Sequence, residues 1–142
     1  KYLNLLSKMN LKLTIKLLLW LIAMVILFHL AILTKLIPYE VTWGGRLSDD
    51  SEMYMFEGVS IMINVILGFT LLIKGEYILS SIPLKVVNTI LWIFFAVFSL
   101  NTLGNIFSET IFEKSLSILT FTFSYLIWNL IRNNKLRVHN KS

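Results

Sequence analysis

Four long apolar stretches leave this chain few folds to choose from. Leu17 to Leu33 is apolar except for His29, and the stretch continues through Thr34 and Lys35 to Ile37. Val59 to Ile73 is broken only by Ser60, Asn64 and Thr70, and Val86 to Leu100 only by Asn88, Thr89 and Ser99. Leu116 to Ile131 is apolar with interspersed Ser, Thr and Asn. Crossing a hydrocarbon core of about 30 Å takes roughly 20 helical residues. Each run reaches that length by borrowing its flanks. None alternates with period two, as a barrel strand would. Inside lipid the backbone must satisfy its own hydrogen bonds, so helices remain. The composition agrees: 56% hydrophobic and 15% charged residues, against about 45–50% apolar and ~25% charged in soluble domains.

The flanks carry helix-end chemistry. Asp49 with Glu52, and Thr110 with Glu113, have the spacing of a capping box. Gly75 and Gly104 stand where a left-handed C-terminal cap would fall. Pro83 suits the first turn of a helix, where its missing N–H costs nothing. The expected helices cover about 12–37, 50–74, 83–103 and 111–133, followed by a polar tail over 134–142. All 142 residues form a single membrane domain. The N-terminal lysines and apolar run resemble a signal peptide. The run exceeds the usual h-region and no small-x-small site follows, so it reads as a retained first span.

Charge then suggests a direction. Lys1, Lys8, Lys12 and Lys16 precede the first helix, Lys74 and Lys85 flank the second connection, and Arg132, Lys135, Arg137 and Lys141 follow the fourth helix. Ten of the thirteen basic residues thus gather at one end of the bundle, and only Lys35, Arg46 and Lys114 at the other. By the positive-inside rule both termini are cytoplasmic. Seven of the eight acidic residues, all but Glu76, lie at the opposite end. The net charge of +5 does not indicate nucleic acid. Short juxtamembrane basic clusters meet anionic lipid head groups. Tyr39, Trp43 and Tyr54 suit the outer interface, and Tyr77 and Trp128 the inner one.

Polar residues within the spans fall on stripes. Glu57, Ser60, Asn64 and Gly68 share one face of the second helix; Asn88, Trp92, Phe95, Ser99 and Thr102 share one of the third; Glu113, Ser117, Thr120 and Ser124 share one of the fourth. Small and hydroxyl residues mark helix–helix seams in membranes, and packing alone accounts for Ser60, Gly68, Ser117, Thr120 and Ser124. An ionisable group inside a span is a candidate functional site. His29 and Glu57 fit that description, lie at similar depth by this topology, and have the types to pair. A carboxylate beside an imidazole can transfer protons. A hydrogen-bonded packing role remains open for His29, and a capping role for Glu113. The candidate ligand-binding residues are His29 and Glu57 as a polar floor, Trp43 and Arg46 as a cover, and Asn101, Asn105 and Glu113 as a facing wall.

Other chemistries are excluded. Without cysteine there is no disulfide framework, thiolate metal site or redox pair. Gly44 and Gly45 do not belong to a phosphate loop, no metalloprotease or nucleophile-elbow motif is present, and neither a metal nor a cofactor is expected.

Trp43-Gly44-Gly45-Arg46-Leu47 and Glu52-Met53-Tyr54-Met55-Phe56-Glu57 resemble segments of a family of small bacterial inner-membrane proteins with four helices. So do Asn101-Thr102-Leu103-Gly104-Asn105 and Phe112-Glu113-Lys114. The resemblance covers Pro38 to Trp128 and implies a four-helix fold in the bacterial cytoplasmic membrane, but no substrate. Proteins of the vitamin K epoxide reductase type need cysteines that are missing here. The sterol-isomerase and sigma-2-receptor type holds carboxylates in a bundle cavity, as Glu57 would, without a matching motif.

The expectation is therefore an all-α membrane protein, a four-transmembrane-helix bundle whose acidic outer mouth binds a small ligand or lipid, or seats it as an accessory subunit in a larger complex or homo-oligomer. A membrane enzyme using Glu57 with His29 on a lipid-soluble substrate is the alternative. An ion or proton pathway ranks last, because the inner half of the spans offers few polar residues.

Overall fold

The computed structural model describes the backbone of residues 2–41 and 47–139 and the side chains of 10–40 and 47–132. Every regular element among them is helical: α1 (Tyr2–Leu33), a 3-10 turn (Tyr39–Val41), α2 (Asp50–Lys74), α3 (Leu84–Ile106) and α4 (Ile111–His139). Three helical segments, Asn10–Leu33, Asp50–Lys74 and Leu84–Ile106, are long and apolar enough to cross a membrane. At 1.5 Å per residue the shortest spans about 35 Å. The fourth expected span is not among them. The described part of α4 mixes Ser115, Ser117, Thr120, Thr122, Ser124 and Asn129 into its apolar residues, which dilutes its hydropathy.

The chain runs up, down, up and down. Cross-helix contacts show the alternation: His29 of α1 meets Glu57 of α2, Lys74 at the end of α2 meets Asn88 at the start of α3, and Ser99 of α3 meets Ser124 of α4. Phe28 of α1 stacks on Phe112 of α4 and closes the ring of helices. The end holding the 34–49 and 107–110 connections is called the acidic end below, and the other the basic end.

The helix ends follow local chemistry, with four corrections. Asp49 accepts a hydrogen bond from the Glu52 N–H at 2.8 Å, as a capping box requires. The Glu52 carboxylate reaches one residue further back than the standard box, to the N–H and hydroxyl of Ser48. Thr110 and Glu113 close the second box around the start of α4. The first correction concerns α1, which begins at Tyr2 instead of about 12 and stops at Leu33 instead of 37. Leu, Lys and Met favour helix and nothing before residue 12 breaks it. At the far end Lys35 turns left-handed (φ 58), and the Lys35 and Leu36 N–H groups bond back to Ile32 and Ala31. That is a Schellman stop.

The second correction concerns Gly75, which is not the left-handed residue. It is right-handed (φ −80), and Glu76 takes the positive φ of 61 in a second Schellman stop, with the Glu76 and Tyr77 N–H groups on Ile73 and Leu72. Glycine is needed at 75 for a different reason. A Cβ there would lie 2.6 Å from the Tyr77 ring and 3.2 Å from Ile15. The third concerns Gly104, which lies inside α3, two residues before its end, and caps nothing. Lastly, α4 runs to His139, past the expected end at 133.

Packing divides the bundle in two. The apolar core consists of Leu11, Ile15, Leu18 and Ile22 of α1, Leu67 and Leu71 of α2, Leu91 and Phe94 of α3, and Phe123, Ile127, Leu130 and Ile131 of α4. These residues occupy the middle and the basic half. Of the buried polar groups, Glu57 and Thr102 lie on the acidic side of that core, and Asn64 and Ser124 lie at its level near the middle of the bundle.

A candidate binding site in the acidic half

The site starts from the periodicity of α2. Met53, Glu57, Asn64, Leu67, Leu71 and Lys74 are all buried, and their steps of three, four and seven trace one helical face. Glu57 belongs to that face by register, so its carboxylate enters the bundle rather than lipid. It is 0% exposed. A carboxylate survives such burial only when it is paired or hydrogen-bonded.

The partner comes from α1. His29 Nδ1 lies 2.5 Å from Glu57 Oε2, and the imidazole is 16% exposed. Phe28 packs edge-on against the His29 ring, with centroids 5.9 Å apart, and itself stacks on Phe112. The ring is thus held from two sides. With Nδ1 committed to the carboxylate, Nε2 is the other position at which the imidazole can exchange a proton or meet a ligand. No hydrogen bond joins Nε2 to another described residue.

Nearby contacts are neutral. Thr102 Oγ1 donates to Thr120 Oγ1 at 3.0 Å, and Ser99 and Ser124 share a 2.7 Å hydroxyl pair. Three of these hydroxyls also bond to carbonyls of their own helix about one turn back, Ser99 to Phe95, Thr102 to Phe98, and Thr120 to Leu116 and Ser117. These hydroxyls join α3 to α4, as membrane seams do. Asn64, seven residues below Glu57, donates from Nδ2 to the Ser60 carbonyl at 2.8 Å. Its Oδ1 is buried with no hydrogen-bond partner among the described residues.

The seven candidate residues fare unequally. His29 and Glu57 are brought together directly. Glu113 is half-buried and engaged with Thr110, which is its capping role. Asn105 is half-buried, and its backbone carbonyl accepts from the Ser108 hydroxyl. Asn101 is exposed, and the buried polar contact on that stretch of α3 is made by its neighbour Thr102. One residue is about 100° around a helix, enough to exchange a lipid-facing side chain for an inward one. Trp43 and Arg46 lie outside the described residues.

One buried ionisable group escaped the sequence reading. Lys74 is 4% exposed, and its Nζ donates to Asn88 Oδ1 at 2.5 Å. Counting from Glu57 along the same stripe would have found it, but as the last residue before a glycine it reads as part of a connection. At the surface, Lys35 pairs with Asp50. That hydrogen bond, reinforced by the carboxylate charge, raises the Lys35 pKa above its ordinary 10.5.

Among the described residues no group of three His, Asp or Glu side chains is placed to hold a metal ion. Comparison of the chain with protein-family models, curated proteins and solved structures finds no match.

Proposed function

We propose that the chain is an integral membrane protein of four spans, with both termini cytoplasmic, that binds a small lipid-soluble ligand at its acidic, outward-facing end without transforming it. The observation that carries this reading is the fully buried Glu57 carboxylate met by a partly exposed imidazole. A buried ion pair is weak evidence for stability, because apolar residues of similar volume often serve as well or better. An ionisable pair kept inside a span therefore points to use. The basic excess at one end supports the orientation. The resemblance carried by Trp43–Leu47 and Glu52–Glu57 makes the bacterial cytoplasmic membrane the proposed location, with membrane lipids as its surroundings.

Two experiments test this. Native mass spectrometry of the protein released from lipid nanodiscs reads what it retains. A small molecule bound to the wild type should be lost from Glu57→Gln while helical content is unchanged. Equal retention together with a destabilised bundle would reduce the pair to packing. A co-released protein in place of a small molecule would make the chain an accessory subunit. For topology, the cysteine-free chain allows single-cysteine labelling. Ser48→Cys and Ser142→Cys should label from opposite sides of the membrane, and labelling from one side would refute the arrangement.

A second reading has its own observation. Holding Nδ1 with a buried carboxylate fixes the imidazole tautomer and leaves Nε2 as a proton acceptor, the arrangement of a general base. On this reading Glu57 positions His29, and a lipid-soluble substrate loses a proton to Nε2. Turnover that persists in His29→Gln would exclude it.

A further inference from the structure

The connection between α2 and α3, residues 75–83, carries an apolar surface outside any helix. From Tyr77 to Leu84 eight residues pass without a charge. The other two connections carry carboxylates, Glu40 and Asp49 in 34–49 and Glu109 in 107–110. Leu79 is fully exposed (105%), and Tyr77, Ile78, Ile82 and Leu84 are exposed with it. Exposed apolar surface gathered in one place marks contact with a protein or a membrane.

Continuity favours the membrane. Exposed apolar side chains lead into the connection from both sides, Phe69 on α2 and Val86 and Ile93 on α3. These belong to two of the segments that are long and apolar enough to cross a bilayer. The connection therefore extends a surface that lipid covers. Charge agrees. A lysine at a helix end ordinarily carries its ammonium out to the head groups. Lys74, the last residue of α2, instead turns into the bundle and bonds to Asn88, which leaves the exit of α2 apolar. Glu76 and Lys85 are exposed on either side and bound the uncharged stretch.

The backbone sets the depth. Among the described residues, the N–H groups of Ile78 to Ser81 make no backbone hydrogen bond, and that of Ile82 is met by the Ser80 hydroxyl at 3.1 Å. Exposed irregular backbone cannot enter the hydrocarbon core, where no water meets its polar groups. At the boundary between head groups and acyl chains, apolar side chains reach lipid while the backbone stays hydrated.

We propose that the connection from Tyr77 to Leu84 is an interfacial anchor, with Ile78, Leu79 and Ile82 entering the head-group–acyl boundary of the phospholipid bilayer that holds α2 and α3. Such an anchor fixes the depth at which both helices leave the membrane. It requires the spans, but neither their orientation nor a ligand at Glu57, so its failure would leave the binding reading as it stands.

The test uses the full chain in phosphatidylcholine nanodiscs. The chain has no cysteine, so Leu79→Cys can carry a single NBD fluorophore. Its emission should be blue-shifted. A nitroxide placed near the carbonyl end of the lipid acyl chains should quench it, and soluble iodide should not. Quenching by iodide, alone or together with the nitroxide, would put the connection in water and overturn the anchor. Protection from both quenchers would put a protein surface over it, a second copy or a partner, and would overturn it equally. Adding Ile78→Asp and Ile82→Asp controls for the greasiness of the label. Both side chains are exposed, so helical content should hold while nitroxide quenching falls and iodide quenching appears. Unchanged nitroxide quenching in that variant would assign the contact to the label and overturn the proposal.

Discussion

The basic half of the bundle is filled and the acidic half is wired. In the middle and the basic half Leu18, Leu67, Leu71, Leu91, Phe123 and Ile127 are buried in one apolar cluster, and the contact of Lys74 with Asn88 sits at its edge. In the acidic half the helices meet through His29 and Glu57 and through Thr102 and Thr120, and the Ser99–Ser124 pair borders the core. A helical bundle in lipid gains little by matching apolar side chains to a solvent that is equally apolar, so both kinds of contact must act through close fit or hydrogen bonds. The difference lies in what each can do besides hold. Close-packed leucines present nothing to a ligand. A partly exposed imidazole on a buried carboxylate presents a proton donor or acceptor.

The largest effects should test this division at its extremes. Phe123→Ala empties a fully packed position and should cost about 3–5 kcal/mol, read by unfolding in mixed micelles, with ligand retention per folded molecule unchanged. Phe123 stacks on Phe98 at 4.6 Å, so part of that loss is the ring pair. His29→Leu removes a partner of the buried carboxylate and should cost about as much, 3–5 kcal/mol. The double variant with Glu57→Leu should recover most of the loss, because an apolar replacement needs no compensation. A double variant as unstable as the single one would mean that the pair is irreplaceable packing, and the contrast between the halves would blur.

Intermediate and small effects sharpen it. Asn88→Leu takes an acceptor from the buried Lys74 ammonium and should cost about 1.5–3 kcal/mol, the range for hydrogen bonds to charged groups. Thr102→Val should cost only about 0.6 kcal/mol, the average for interhelical hydrogen bonds in membranes. The smallest effect belongs to the surface. The Lys35 pKa is raised by Asp50, so its contribution is complete below the ordinary lysine value and is lost as pH climbs through the raised one. Stability should be flat through neutral pH and dip slightly above pH 10.5, and Asp50→Asn should remove the dip.

Much of this was legible in the residues. The capping signals at Asp49 and Thr110 placed two helix starts because a side-chain oxygen three residues before an acidic residue answers a local need. The pairing of His29 with Glu57 was legible because each is the strongest polar group in its run, and the alternating direction of the spans sets them at similar depth. The rest depended on angles that spacing alone leaves loose. Thr102 rather than Asn101 turns inward because of a one-residue rotation. Glu76 rather than Gly75 carries the left-handed turn, and the Ile15 side chain that a Cβ at 75 would meet comes from another helix, which spacing cannot show. Lys74 was read as a flanking charge, although its position on the Glu57 stripe places it inside.

The central claim is that the acidic half holds a ligand and the basic half holds the fold. It is tested most directly by native mass spectrometry of Glu57→Gln beside Thr102→Val, both released from the same lipid nanodiscs as the wild type. The account predicts that the small-molecule adduct of the wild type disappears from Glu57→Gln and persists in Thr102→Val, with both variants folded. An adduct that persists in both, or vanishes from both, would contradict it.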